Sequence, residues 1–258
     1  MILKASKIAL AETGYFPKLI LDYIARVERL RSLYTYIPEI ASFESAIEDK
    51  LKENINRPLL VKILKEQYSA IHNSEPQQAI IEQLSDKNTF TVCTGHQLCL
   101  FTGPLYFVYK ILSTINLSET LKKHYPLYNF VPIYWMASED HDFEEVQSVN
   151  LFGKKLVWNN PEVKGAVGKL STASTKHVIE EFRQIAGDSE TAKELVLLFE
   201  NAYLKHTNLE EATRYLVHQL FAGYGLIIAD GNDAVGQRCA HRRQAASPGI
   251  AGRYPRRG

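Results

Sequence analysis

Between Ala137 and Glu145 the chain reads Ala-Ser-Glu-Asp-His-Asp-Phe-Glu-Glu, so five carboxylates surround His141 within seven residues. Like charges at this density repel unless something compensates them. Two readings are open. Ser138 caps a helix whose first turn welcomes acids through the helix dipole. Alternatively, Glu139, Asp140, His141 and Asp142 carry general acid/base chemistry or bind a cation, because carboxylates and an imidazole supply proton acceptors and oxygen or nitrogen ligands.

A second polar group, Thr94-Gly95-His96-Gln97, follows the strand-like run Thr89-Phe-Thr-Val-Cys93 and leads through Leu98-Cys-Leu-Phe-Thr-Gly103 to Pro104. Here Gly95 either permits a tight turn in which His96 and Gln97 bond the local backbone, or the turn and the helix N-terminus after Gly103 bind a phosphate or carboxylate. Lys110, two turns into that helix, is either solvated or reaches the same anion. The third group is Asp230-Gly-Asn-Asp233. None of the three matches a P-loop or a GxGxxG fingerprint. The chain has no HExxH and no paired-cysteine spacing, so no resident metal is expected. Cys93 and Cys99 flank the first polar group without a base partner and read as small buried hydrophobes.

These groups need a scaffold that brings them together. Residues 17–86 read as helices, with Leu19, Ile20, Tyr23, Ile24 and Val27 on one stripe and Leu59, Leu60, Ile63 and Leu64 on another, packed on a core. Thr89–Cys93 reads as a strand. Pro104 in a first turn followed by Leu105, Val108, Ile111, Leu112 and Ile115 reads as a helix. Phe130–Met136 reads as a second strand with Pro132 near its start. Strand, helix and strand in about fifty residues predict a βαβ unit. Residues 151–222 read as an insertion, with a strand pair around Lys155–Trp158 and Gly168–Leu170 and then helices around Thr191–Lys205 and Leu209–Ala222. Gly225–Ala229 returns as a core strand. The expected organisation is a helical region 1–88, a first core segment 89–150, an insertion 151–222, a core strand in 223–235 and an aberrant tail 236–258. In an open parallel sheet, ligands collect at the carboxyl ends of the strands. All three polar groups are predicted to lie there.

Composition narrows the function classes. Residues 1–235 hold 24 Lys and Arg against 29 Asp and Glu, whereas residues 236–258 hold six Arg and no acid. The mildly acidic main part weighs against nucleic acid as a partner. The Arg-, Ala- and Gly-rich tail reads as a shifted reading frame or a gene-boundary artefact, so the chain is expected to be truncated. Three cysteines in odd number, with no secretory segment, point to a reducing cytoplasm. The apolar runs are too short for a membrane span.

The ordered set Thr94-Gly-His-Gln, Leu100-Phe-Thr-Gly-Pro-Leu-Tyr106, Tyr109-Lys110 and Trp135-Met-Ala-Ser-Glu-Asp-His-Asp-Phe143 resembles the signature of the bacillithiol biosynthesis cysteine-adding enzymes, the BshC family. Leu30–Tyr34, Phe43-Glu44, Leu64–Tyr68 and Ala229–Asp233 extend the likeness over residues 17–235. The chain departs at His96-Gln97-Leu98-Cys99, where Gln-Gln-Pro-Gly is the more frequent family pattern. The resemblance implies an α/β, Rossmann-like parallel sheet with connecting-peptide insertions, followed in full-length members by a coiled coil that mediates homodimerisation and is absent here.

It also implies an activity: a ligase that joins the carboxyl of L-cysteine to the amine of glucosaminyl-malate, the last step of bacillithiol synthesis. Activation by ATP or another nucleotide, with Mg at most as its companion, is expected. Under this reading Glu139, Asp140, His141 and Asp142 are catalytic, while Thr94, Gly95, His96, Gln97, Gly103, Lys110, Ser138 and Asp230 bind substrate or nucleotide. Two alternatives stay open: a metal-assisted hydrolase with His96, Asp140 and His141 as ligands, and a non-catalytic fragment that binds a nucleotide or nothing.

Overall fold

The structure, a computed structural model, describes residues 6–69, 71, 73–161 and 163–232. Asp233, Cys239 and the whole 236–258 tail lie outside the described residues. The chain divides into two compact units, residues 1–53 and 54–258.

The first unit holds helices α1 (Lys18–Ile24) and α2 (Phe43–Leu51) with short 3-10 turns between them. Lys18 and Arg29 both bond the buried Asp22 and hold its pKa below the usual carboxylate range. The apolar stripe on α1 does not face a core as expected: Leu19, Ile20 and Ile24 are exposed.

The second unit is built on three parallel strands, β1 (Thr89–His96), β2 (Asn129–Met136) and β5 (Ile227–Asp230), in the order β1-β2-β5. Helix α5 (Tyr106–His124) makes the β1–β2 crossover and buries Phe107, Ile111 and Ile115 with Tyr134, Met136 and Ile228. The opposite sheet face carries Val131, Ile133, Ile227 and Ala229. It packs on α3 (Arg57–Tyr68) and α4 (Glu75–Gln83) through Val61, Leu64, Tyr68 and Ile81. Alternate strand residues thus serve two different helical layers, as the period of two requires. Arg57 fixes the entry to the sheet, because its guanidinium donates to the carbonyls of Leu84, Lys87 and Thr89.

Pro132 is compatible with the central strand for a physical reason. Strand β2 pairs with β5 only from Ile133 onward, so the missing N–H precedes the doubly flanked stretch. Among the described residues the outer edge of β5 is met by side chains: the amides of Ile228 and Asp230 donate to Tyr68 Oη at 2.8 Å and Gln67 Oε1 at 2.9 Å.

Between β2 and β5 lie α6 (Phe143–Val146), the hairpin β3 (Ser148–Leu151) and β4 (Lys154–Val157), and helices α7 (Lys176–Ala186), α8 (Glu190–Leu204) and α9 (Leu209–Phe221). The hairpin corrects the expected strand pair. Strand β4 pairs antiparallel with β3, and residues 167–169 form a 3-10 turn. The inserted helices share the core of the sheet, with Phe101 packed among Phe182, Phe199 and Tyr203.

Candidate functional site

Strand β1 is longer than expected, so Thr94, Gly95 and His96 are strand residues and not a turn. The register aligns His96 with Met136 and Met136 with Asp230, which brings the carboxyl ends of all three strands level. The loops that leave them are stitched together by backbone bonds. Ala137 N donates to His96 O at 3.1 Å, and Gly231 N donates to Met136 O at 2.9 Å. The structure therefore gathers Thr94–Gln97, Ser138–Asp142 and Asp230 at one end of the sheet.

The Gln97 side chain reaches across to the acidic loop, although the residue's carbonyl accepts locally from Cys99 N at 3.1 Å. Its side-chain amide donates to Asp140 Oδ2 at 2.6 Å and to Glu145 Oε2 at 2.8 Å, which links the first loop to the acidic one. His96 does bond locally, Nδ1 to Gln97 O at 3.0 Å, and its ring packs on Tyr106 and Phe107. Burial, together with the nearby Lys110 charge, outweighs that bond and holds the His96 pKa below its ordinary value. The Lys110 ammonium donates to the Gly95 carbonyl and lies 5.3 Å from the Tyr106 ring centre.

The segment between β1 and α5 is tightly wound. Phe101, Thr102 and Gly103 all have positive φ, at 50°, 73° and 60°. For β-branched Thr102 that backbone costs on the order of 1–3 kcal/mol, which the surrounding structure must offset. Gly103 cannot carry a side chain, since a Cβ there would overlap the Cys99 side chain. Helix α5 itself starts at Tyr106, three residues beyond Gly103. Cys99 is buried as expected, and burial beside Glu145 pushes its pKa up to about 11. Cys93 is exposed, contrary to expectation, because it lies on the part of the sheet face that α3 and α4 leave uncovered.

In the acidic loop the capping reading holds with a different residue. Asp142, not Ser138, caps α6, accepting from Glu145 N at 3.2 Å. Asp140 accepts from the Gln97 amide and from the backbone amides of His141 and Asp142, and these bonds hold its pKa below the usual value despite partial burial. Glu139 differs: its Oε2 is buried with no hydrogen-bond partner among the described residues, set against Gly231, where a Cβ would collide with the carboxylate. Beyond the loop opens a cleft of about 780 Å³ lined by Asp140, His141, Asp142, Glu144, Asn159 and Asn160, among others.

Ser138 and Asp230 are bonded to each other and buried, so they act within the scaffold. Around them stands a group of side chains that the motif reading missed. Arg214 Nη2 lies 3.3 Å from Asp230 Oδ2, and Lys169 Nζ lies 2.8 Å from Glu210 Oε2. Burial disfavours the charged form of Asp230. Its bonds from the Glu210 carboxyl, Ser138 and the Asn232 amide, with the Arg214 charge, nevertheless bring its pKa below the ordinary value. Glu210 goes the other way, to about 7, through burial and its bond to Asp230. The only sequence trace of this group was Glu210 and Arg214 at i,i+4 on a helix, a spacing shared by ordinary surface pairs.

The hydrolase alternative needs His96, Asp140 and His141 to converge. Among the described residues no three His, Cys, Asp or Glu side chains form a metal-holding group. No helix among the described residues is long and apolar enough to cross a membrane.

Residues 3–241 match the family model described as bacillithiol biosynthesis BshC, N-terminal Rossmann-like domain. The chain is 51% identical over 230 residues to a protein of Flavobacterium psychrophilum, covering 88% of this chain and 43% of that protein. It is 51% identical over 224 residues to one of Flavobacterium johnsoniae, covering 86% and 42%, and 44% identical over 228 residues to one of Cytophaga hutchinsonii, covering 88% and 42%. The names of all three include the words cysteine ligase BshC. The chain thus spans less than half the length of these relatives.

Proposed function

Because the chain belongs to the bacillithiol biosynthesis BshC family through its N-terminal Rossmann-like domain, we propose that it supplies the substrate-handling core of a cysteine ligase. The reaction is amide formation between the carboxyl of L-cysteine and the amine of glucosaminyl-malate. The observation that carries this reading is the junction of the β1 and β2 loops through Gln97, which places an acidic, amide-lined cleft beside the carboxyl ends of parallel strands.

Amide formation needs a neutral amine and therefore a proton acceptor. Glu139 is assigned that role, since one of its oxygens has no hydrogen-bond partner among the described residues and a carboxylate not already engaged by donors is the better proton acceptor. Asp140, fixed as a carboxylate by three donors, holds positive charge in place and does not move the proton. Asn159 offers both a donor and an acceptor to substrate hydroxyls across the cleft. Carboxylate activation falls to a nucleotide. Lys110 of α5, whose ammonium reaches the carboxyl end of β1 at the Gly95 carbonyl, is the cation that would meet a phosphate group, and a bound nucleotide would supply the activating leaving group.

The test is product formation from L-cysteine, glucosaminyl-malate and Mg-ATP, followed by thiol derivatisation and chromatography, with this chain and the longer Flavobacterium johnsoniae relative in parallel. Glu139→Gln in whichever protein is active should lower turnover by roughly 100-fold or more. Undiminished turnover after replacing Glu139, Asp140, His141 and Asp142 together with Ala would end the assignment of chemistry to this loop.

A further inference from the structure

The group behind Ser138 joins three separate elements. Glu210 and Arg214 come from α9, Asp230 from the end of β5, and Lys169 from the turn 167–169. That turn lies directly on the acidic loop: Val167 N donates to Asp140 O at 2.6 Å and Gly168 N to Ser138 O at 3.1 Å. Gly168 has no room for a side chain, because a Cβ would come within 2.7 Å of Ser138 Cβ and 2.8 Å of its carbonyl oxygen. The same turn is tied to α9, since Leu209 N donates to Leu170 O at 3.0 Å. On the other side Asp230 Oδ1 takes bonds from Ser138 Oγ and from Asn232 N at 2.9 Å, while Arg214 occupies its second oxygen.

We propose that Glu210 is a positioning residue: by sharing one proton with Asp230 it holds Ser138 and the 167–169 turn in the arrangement that fixes the acidic loop carrying Glu139 and Asp140. Glu210 and Asp230 are joined by a side-chain hydrogen bond, and two carboxyls so joined, with side-chain exposures of 18% for Glu210 and 5% for Asp230, are compatible only while one of them is neutral or fully countered. The countercharges divide unequally. Arg214, 12% exposed, serves Asp230, whereas Lys169, 58% exposed, serves Glu210 from solvent. The proton therefore resides on Glu210, in keeping with its pKa near 7 and the lowered one of Asp230. Of the other charges nearby, Glu211 is turned to Thr207, with its Oε2 2.9 Å from the hydroxyl.

The sign of the pH effect follows. The folded-state pKa of Glu210, about 7, lies above its ordinary 4.5, so the folded state holds an extra proton. The stability this gives is complete below pH 4.5, falls as pH rises and is gone above about 7.

The role assigned to the acidic loop rests on the ligase reading, but the shared proton does not, so its test uses no turnover. The 258-residue chain, labelled with 13C and 15N, is titrated by NMR from pH 5 to 8.5. One glutamate carboxyl signal, absent from Glu210→Gln, should titrate near pH 7. The amide signals of Gly168 and Asn232 should move with the same midpoint in the wild type and stay flat in Glu210→Gln. Should that variant fail to fold, Lys169→Met serves instead: loss of the cation should raise the carboxyl midpoint. A Glu210 carboxyl already ionised at pH 5, or Gly168 and Asn232 amides indifferent to its titration, would overturn the proposal.

Discussion

Two sets of acids stand at the same end of one sheet in opposite environments. Asp140, Asp142 and Glu144 border an open cleft, Glu145 accepts from Gln97 beside it, and Asp140 and Asp142 accept from Gln97 and backbone amides. Glu210 and Asp230 are largely buried and matched to Lys169 and Arg214. The first set is dispersed by water and amide dipoles, which cost little and leave carboxylate faces open to a ligand. The second has been taken out of water, where an unpaired charge is expensive, so it is fully engaged and serves to hold backbone. Acid density alone therefore does not distinguish the two sets; exposure and partners do.

The difference is sharpest at the countercharge. Arg214→Met should leave Asp230 buried without its cation and destabilise the fold by about 3–5 kcal/mol, measured by urea unfolding. A loss below about 1 kcal/mol would place Asp230 in water and erase the distinction. Next comes Gly168→Ala, which pushes a methyl group into Ser138 at a contact between the two sets. Overpacking of this kind costs about 1–3 kcal/mol, and amide exchange at Val167 and Gly168 should quicken with it. The smallest effect is expected in the open set: Asp142→Ala removes the α6 cap at a cost of about 1 kcal/mol, with the amide of Glu145 losing protection while that of Asn232 keeps it. Equal losses from Arg214→Met and Asp142→Ala would show that the two sets are not physically distinct.

Much of the scaffold was legible because its signals are local. The apolar run of β2, the stripe on α5 and the helical stretches of α8 and α9 are set by the period of each element; β2, α8 and α9 appear close to their expected bounds, while α5 starts at Tyr106, after Pro104, and runs to His124, beyond the stripe that ended at Ile115. Errors arose where a partner decides. Residues 168–170 and the β4 segment look equally strand-like, but β4 closes a hairpin with its neighbour β3 through the Phe152-Gly153 turn, both residues of which have positive φ. Cys93 looked like core because its strand is apolar; its exposure depends on which part of the sheet face α3 and α4 cover. Ser138 looked like a cap because it precedes acids, yet it faces Asp230, 92 residues away in sequence.

The chain by itself determined the parallel strands, the crossover helix, the family and the three polar groups at the strand ends, because each is written in periodicity or in contiguous motif. Only the tertiary structure decided which acids face the cleft and which are buried, that one Glu139 oxygen has no hydrogen-bond partner among the described residues, and that Glu210 and Arg214 stand with Lys169 and Asp230 behind Ser138. Those properties depend on desolvation and on contacts between residues far apart in sequence, and a spacing pattern carries no record of either.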